Sequence, residues 1–173
     1  MGKIDDLLKA NINITQEMEE QARGIYKEVS DFLHNELCDY NPDIFPQGSF
    51  NLGTIIKPIK GDEFDLDFVC VLKNIYETTP SALKKTVGDV LKKKYKGERL
   101  SEKNRCWQLH FQSFHVDVLP AVPATKFDLY SELSDNWKKA PLLIPDKELK
   151  DWKDTNPLGY AEWFRERVYQ NAH

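Results

Sequence analysis

The run Phe64-Asp65-Leu66-Asp67-Phe68 alternates apolar and acidic residues, and it passes without a break into the wholly apolar Val69-Cys70-Val71-Leu72. Successive side chains of a strand point to opposite faces. The pattern therefore reads as one β-strand from Asp62 to Lys73, apolar on one face and acidic on the other at its start. Asp65 and Asp67 then stand side by side on one face. Two like charges that close repel and raise each other's pKa unless a cation sits between them. A DxD alone also fits a solvated edge strand, so its meaning depends on its surroundings.

Those surroundings alternate helix and strand. Met18, Ala22, Ile25, Val29, Phe32 or Leu33, and Leu37 recur at helical spacing, which predicts a long amphipathic helix over about 15–38. Asn13 and Thr15 both suit its N-cap, and Pro42 and Pro46 stop it from continuing. Thr79-Pro80 opens a second helix that turns Leu83, Val87, Val90 and Leu91 inward and ends near Gly97. Cys106–Gln112 and Phe114–Val122 read as two strands of a hairpin. Pro141, Pro145 and Pro157 punctuate a stretch expected to be irregular, and a last helix is expected from about Leu158. The order gives an α+β fold, a mixed sheet flanked by a long N-terminal helix.

A length of 173 residues suits one domain, 1–173, divided into the spine helix at about 15–38, a glycine-rich turn and acidic strand at 45–73, and a hairpin at 104–122. Lys plus Arg is 24 against 28 for Asp plus Glu, so direct nucleic-acid binding through a basic surface is not expected. No apolar run approaches the roughly 20 residues of a bilayer span, and the start lacks the order of a secretion signal. Cys38, Cys70 and Cys106 show no metal-binding spacing. A cytoplasmic protein with reduced thiols is expected.

Two further features gather around the acidic strand. Asp117 interrupts the apolar strand His115-Val116-Asp117-Val118-Leu119-Pro120, sharing a face with His115 and Leu119. A buried, unpaired Asp is costly, so Asp117 needs a cation, a donor or exposure. If this strand lies beside the first, three carboxylates converge, a donor set suited to two hard divalent ions. Upstream, Gln47-Gly48-Ser49 and Gly53-Thr54 form a turn in which backbone N–H groups and the Ser49 hydroxyl can hold a phosphate. Ser49 precedes Asp65 by sixteen residues. Each feature alone also fits a plain capped turn or a solvent-facing acid.

In this order, GSFNLGT, DEFDLDFVCVL and FHVDVLPAVP resemble the polymerase-beta-type nucleotidyltransferases, and most closely the bacterial cGAS/DncV-like nucleotidyltransferases that make oligonucleotide second messengers. LLIPDKELKDWKDTNPLGYAEWF is similar to the segment after the palm in that family. The resemblance covers about Pro42 to Phe164. It implies a nucleotidyltransferase palm whose helical second lobe is missing or truncated. It further implies two Mg²⁺ ions, with Mn²⁺ as a substitute, held by Asp65, Asp67 and Asp117 as catalytic acids. Gln47, Gly48 and Ser49 would bind the triphosphate of ATP or other ribonucleoside triphosphates. The implied activity condenses them, with loss of pyrophosphate, into a cyclic or linear oligonucleotide in antiphage defence, with a regulatory or effector protein as partner. Transfer of AMP to a protein, or nucleotide binding without turnover, stay open as alternatives.

Other features have plainer readings. The basic run Lys84, Lys85, Lys92, Lys93, Lys94, Lys96 and Arg99 reads as a solvated helix face, and His115 as a structural histidine. Trp107, Trp137, Trp152 and Trp163 read as packing residues. Lys103 and Arg105 lie where they could reach a triphosphate.

Overall fold

The Thr15 side chain accepts the Met18 N–H at 3.2 Å and so starts α1, Gln16–Glu36. Its inward stripe buries Ala22, Val29 and Leu33, as the spacing predicts. The computed structural model describes residues 14–54, 63–75, 77–126 and 141–171; Asn13 and Trp137 lie outside them.

After α1 the chain forms β1, Pro42–Gln47, a strand that the two prolines had concealed. β1 ends one side of the sheet, where a missing N–H is tolerated. A single short turn, α2, Gly48–Leu52, leads away from it. The acidic strand follows as β2, Phe64–Leu72, and Thr79 caps α3, Pro80–Lys94, through the Ala82 N–H at 3.2 Å. Then come β3, Leu100–Glu102, β4, Trp107–His110, and β5, Phe114–Pro123.

The strand order is β1-β2-β5-β4-β3, and β2 and β5 run parallel while the other pairs on this path are antiparallel. β2 is therefore central, not a solvated edge. The sheet is mixed and packs α1 and α3 on one face, giving the α+β architecture expected. Val29 and Leu33 of α1, Leu83, Val87 and Leu91 of α3, and Leu66, Phe68, Val116 and Val118 of the sheet share that core.

The stretch read as irregular is instead two strands, β6, Leu142–Asp146, and β7, Asp151–Thr155, followed by α4, Pro157–Asn171. Pro145 occupies β6 in register with Trp152 of β7. β6 pairs with the end of β5, and Leu142 and Ile144 pack with Val69, Val71, Leu119 and Ala121 in a second core. These sheet residues continue the face that begins with Asp65, Asp67 and Asp117. One face thus has a covered apolar end and an acidic end that this hairpin does not cover.

Three further readings are corrected. Lys84 is not on a solvated face: it is buried, its ammonium donating to the carbonyls of Lys103 and Asn104 (2.5 Å for the latter) and lying 3.5 Å from Glu102. Burial without those partners would be costly for an ammonium. Trp163 is 51% exposed on α4 and is no core residue. Arg105 does not point free toward a ligand, since its Nε is paired at 2.8 Å with the buried Asp146.

Candidate active site

The site is built where β1, β2, β5 and β4 align. Gln47 is in register with Asp67, Asp67 with Asp117, and Asp117 with Gln108. Register partners on neighbouring strands stand about 4.8 Å apart on one face. The four side chains therefore form a row across the sheet, with Asp65 one step along β2 beside His115. Val69 and Leu119, one step further along the same face, are buried in an apolar cluster.

Gly48 joins this row to the turn. Its φ is +63°, and a Cβ there would sit 2.5 Å from Asp67 Oδ2. Only glycine allows both the left-handed backbone and the close approach. The turn that follows is helical, as expected if Phe50–Gly53 coils, and Thr54 N–H donates to the Ser49 carbonyl at 2.9 Å.

Burial raises the Asp67 carboxyl to about 6, and the charges of Asp117 and Asp65 push in the same direction. This is the like-charge effect anticipated for the DxD. Asp117 accepts a hydrogen bond from Gln108 Nε2 at 2.9 Å. The Cys106 thiol is raised to about 12, chiefly by burial and then by Asp117 beside it. His115 pairs with Glu63 through Nε2 and lies 3.8 Å from Asp65 Oδ1 through Nδ1. It thus borders the acidic row.

Among the described residues, no three acidic, histidine or cysteine side chains are gathered tightly enough to enclose an ion as they stand. Asp65 is turned outward, its side chain 78% exposed beside His115. The donor set nevertheless fits hard divalent ions: it is all oxygen, Asp67 and Asp117 are in register on paired strands, and burial with two like charges holds the Asp67 carboxyl toward its protonated form.

Gln108 was missed by sequence reading, though its signal was present. A two-residue connection, Gln112-Ser113, between Phe111 and Phe114 fixes the hairpin register and places Gln108 opposite Asp117. A cleft of about 330 Å³ beside the turn was also missed. Gln47, Gly48 and Asn51 form one wall and Asn156, Tyr160 and Ala161 the other. Arg165 of α4 secures it, donating to the Asn51 carbonyl at 3.2 Å and to its Oδ1 at 3.1 Å.

Residues 3–167 match the family model of the Second Messenger Oligonucleotide or Dinucleotide Synthetase (SMODS) domain. The chain belongs to the SMODS family. This SMODS chain is 33% identical over 125 residues to a c-di-GMP synthase of Roseivirga ehrenbergii, covering 70% of the chain and 31% of the relative. It is 28% identical over 134 residues to a cyclic GMP-AMP synthase of Escherichia coli, again covering 70% and 31%. The chain thus spans about a third of the length of these curated relatives. Its fold is similar to that of the Bradyrhizobium diazoefficiens CD-NTase CdnG solved with GTP, with a TM-score of 0.73 at 20% identity over 92% of the chain and 44% of that protein. The Vibrio cholerae cyclic AMP-GMP synthase DncV, solved with nonhydrolyzable GTP, gives 0.64 at 19% identity over 94% and 59%. A palm of the bacterial cGAS/DncV-like type is therefore the fold of this SMODS domain.

Proposed function

We propose that residues 1–173 form the catalytic domain of a metal-dependent nucleotidyltransferase that condenses ribonucleoside triphosphates into a cyclic or linear oligonucleotide messenger. The observation that carries this reading is the Asp67–Asp117 pair, in register on parallel strands, with Gly48 against the Asp67 carboxylate. Kinship with named synthases supports the reaction class. Relatives solved with GTP, and with ATP in the case of Escherichia coli CdnC, support ribonucleoside triphosphates as substrates.

In this reading Asp65, Asp67 and Asp117 hold two Mg²⁺ or Mn²⁺ ions. Ions bound there would supply charge neutralisation for the triphosphate and a lowered pKa for the attacking ribose hydroxyl. Gln108 holds one Asp117 oxygen in place. Gly48 and Ser49 receive the phosphates, Gln47 borders them, and the cleft up to Tyr160 takes part of the nucleotide. A cytoplasmic role in antiphage signalling, with a regulatory or effector protein, follows from the same kinship. A complex of Escherichia coli CdnC with a HORMA protein is among the similar structures.

The test is incubation of the full-length protein with labelled ribonucleoside triphosphates and Mg²⁺ or Mn²⁺. Oligonucleotide product, with none from Asp65→Ala/Asp67→Ala at unchanged circular dichroism, is expected. Labelled protein would indicate AMP transfer instead, and no product from any mixture of the four triphosphates would refute synthesis.

A further inference from the structure

A larger cleft, about 590 Å³, opens on the opposite face of the sheet from Asp117. Trp107 forms its inner wall; the alternation along β4 turns Trp107 away from Gln108 and toward α3, where a Cβ on Gly88 would sit 2.1 Å from the indole ring. Its Nε1–H donates to the Lys84 carbonyl at 2.9 Å, so the wall is fixed. The first turn of α3 and the β6–β7 turn form the sides.

The lining is concentrated positive charge in a chain whose net charge is −4. Lys84, Lys85, Lys92, Lys147 and Lys150 line it together with Glu102 and Asp146, and Asp89 beside it pairs with Lys85 and lies 3.5 Å from Lys92. The two lining carboxylates are already engaged: Asp146 by Arg105, which stands outside the cleft, and Glu102 by Lys84 and by Lys147 at 3.2 Å. Lys92 lies 4.9 Å from the centre of the Trp107 ring. Lys150, held at φ 55°, pairs with no carboxylate among the described residues. Such a cleft has the size of a small-molecule site, an apolar wall for one end of a ligand and cations for the other.

We propose that this cleft is a second binding site, separate from the acidic row, for a small organic anion: a ring or similar apolar body carrying a phosphate or carboxylate. None of its lining residues belongs to the candidate active site, so it stands or falls independently of the nucleotidyltransferase reading.

The probe is 8-anilinonaphthalene-1-sulfonate, followed by its fluorescence on the full-length protein, with 1-naphthyl phosphate and 1-naphthoate as competitors. Lys85→Glu/Lys150→Glu reverses two charges on the cleft rim, and Ser81→Trp fills the cleft without touching charge. Both should weaken the probe at least tenfold while far-ultraviolet circular dichroism and melting stay as in the parent chain. Asp67→Asn should leave probe affinity unchanged. Displacement by the phosphate alone, the carboxylate alone or both supports the site and tells which headgroup it accepts. Absence of binding, displacement by neither competitor, or equal affinity in the parent, the charge-reversed and the filled variants overturns it; the last result would put the probe on the exposed apolar residues of α4.

Discussion

Gly48 and Asp67 constrain each other more tightly than any other pair at the candidate site. Gly48→Ala would force a side chain into the left-handed region and against a carboxylate oxygen. The expected cost is about 1–2 kcal/mol of stability, with loss of product formation larger than the loss of folded protein. Thermal melting beside a turnover assay separates the two effects. Asp67 itself makes the sign of a pH effect definite. Its folded pKa is about 6 against 3.8 for the free group, so between those values the folded chain keeps a proton that the unfolded chain gives up. Without divalent ions, this group's contribution makes the chain more stable as pH falls from 7 to 5. Asp67→Asn should remove that slope and stabilise the chain at pH 7 by on the order of 1 kcal/mol, the size expected after discounting for partial exposure. Urea unfolding at pH 5 and pH 7 checks it, and a slope unchanged in the variant would assign the effect to other groups. The two Asp residues of β2 were legible because strand alternation is a local rule. The turn of Asp65 toward His115 was not, because it depends on which strand lies alongside.

The elements that sequence patterning located correctly are those with strong local signals. α1 and α3 follow their apolar period and caps, and β5 follows its alternation around Asp117. β1 and β6 carry prolines within short apolar runs, so local rules argued against strands there; sheet-edge position and pairing with β7 and β5 override them. Lys84 was misplaced for a similar reason. Its position on the helix belongs to the polar stripe, but the β3–β4 connection comes down over it with two carbonyls. The α3–β4 contact is also where a helix glycine is required by packing. Gly88 in the middle of α3 lowers helix propensity, yet the Trp107 indole occupies the space a Cβ would need. Gly88→Ala should therefore destabilise by about 1–3 kcal/mol despite the better helix former. Gly88→Ala combined with Trp107→Leu should recover part of that loss, and additive losses in a double-mutant cycle of melting curves would show that the ring is not the cause.

Among the described residues, one face of the sheet is closed by helices and the other is covered at its apolar end by β6. That division anchors β2 and β5 through Val69, Val71, Leu119 and Ala121, directly beyond their acidic ends. The parallel β2–β5 pairing that brings Asp67 to Asp117 spans the whole of α3, β3 and β4, a separation no local pattern can fix. Its legibility came from resemblance in motif order, not from periodicity. The arrangement holds carboxylates together at a cost in stability, and a divalent cation should reverse that cost. A ligand that binds only the folded state stabilises it by about 2.7 kcal/mol at a hundred times its dissociation constant, worth about 5–10 °C in melting temperature for a chain of this size. Mg²⁺ or Mn²⁺ should therefore raise the melting temperature of the parent chain, and chelator should return it. Asp67→Asn/Asp117→Asn should melt higher than the parent in chelator but gain nothing from the ions. The crossing of the two curves is the decisive result: it makes the same pair of carboxylates both the weakness of the metal-free fold and the cation site. Equal gains in parent and variant would place the cation elsewhere and remove Asp67 and Asp117 as its ligands.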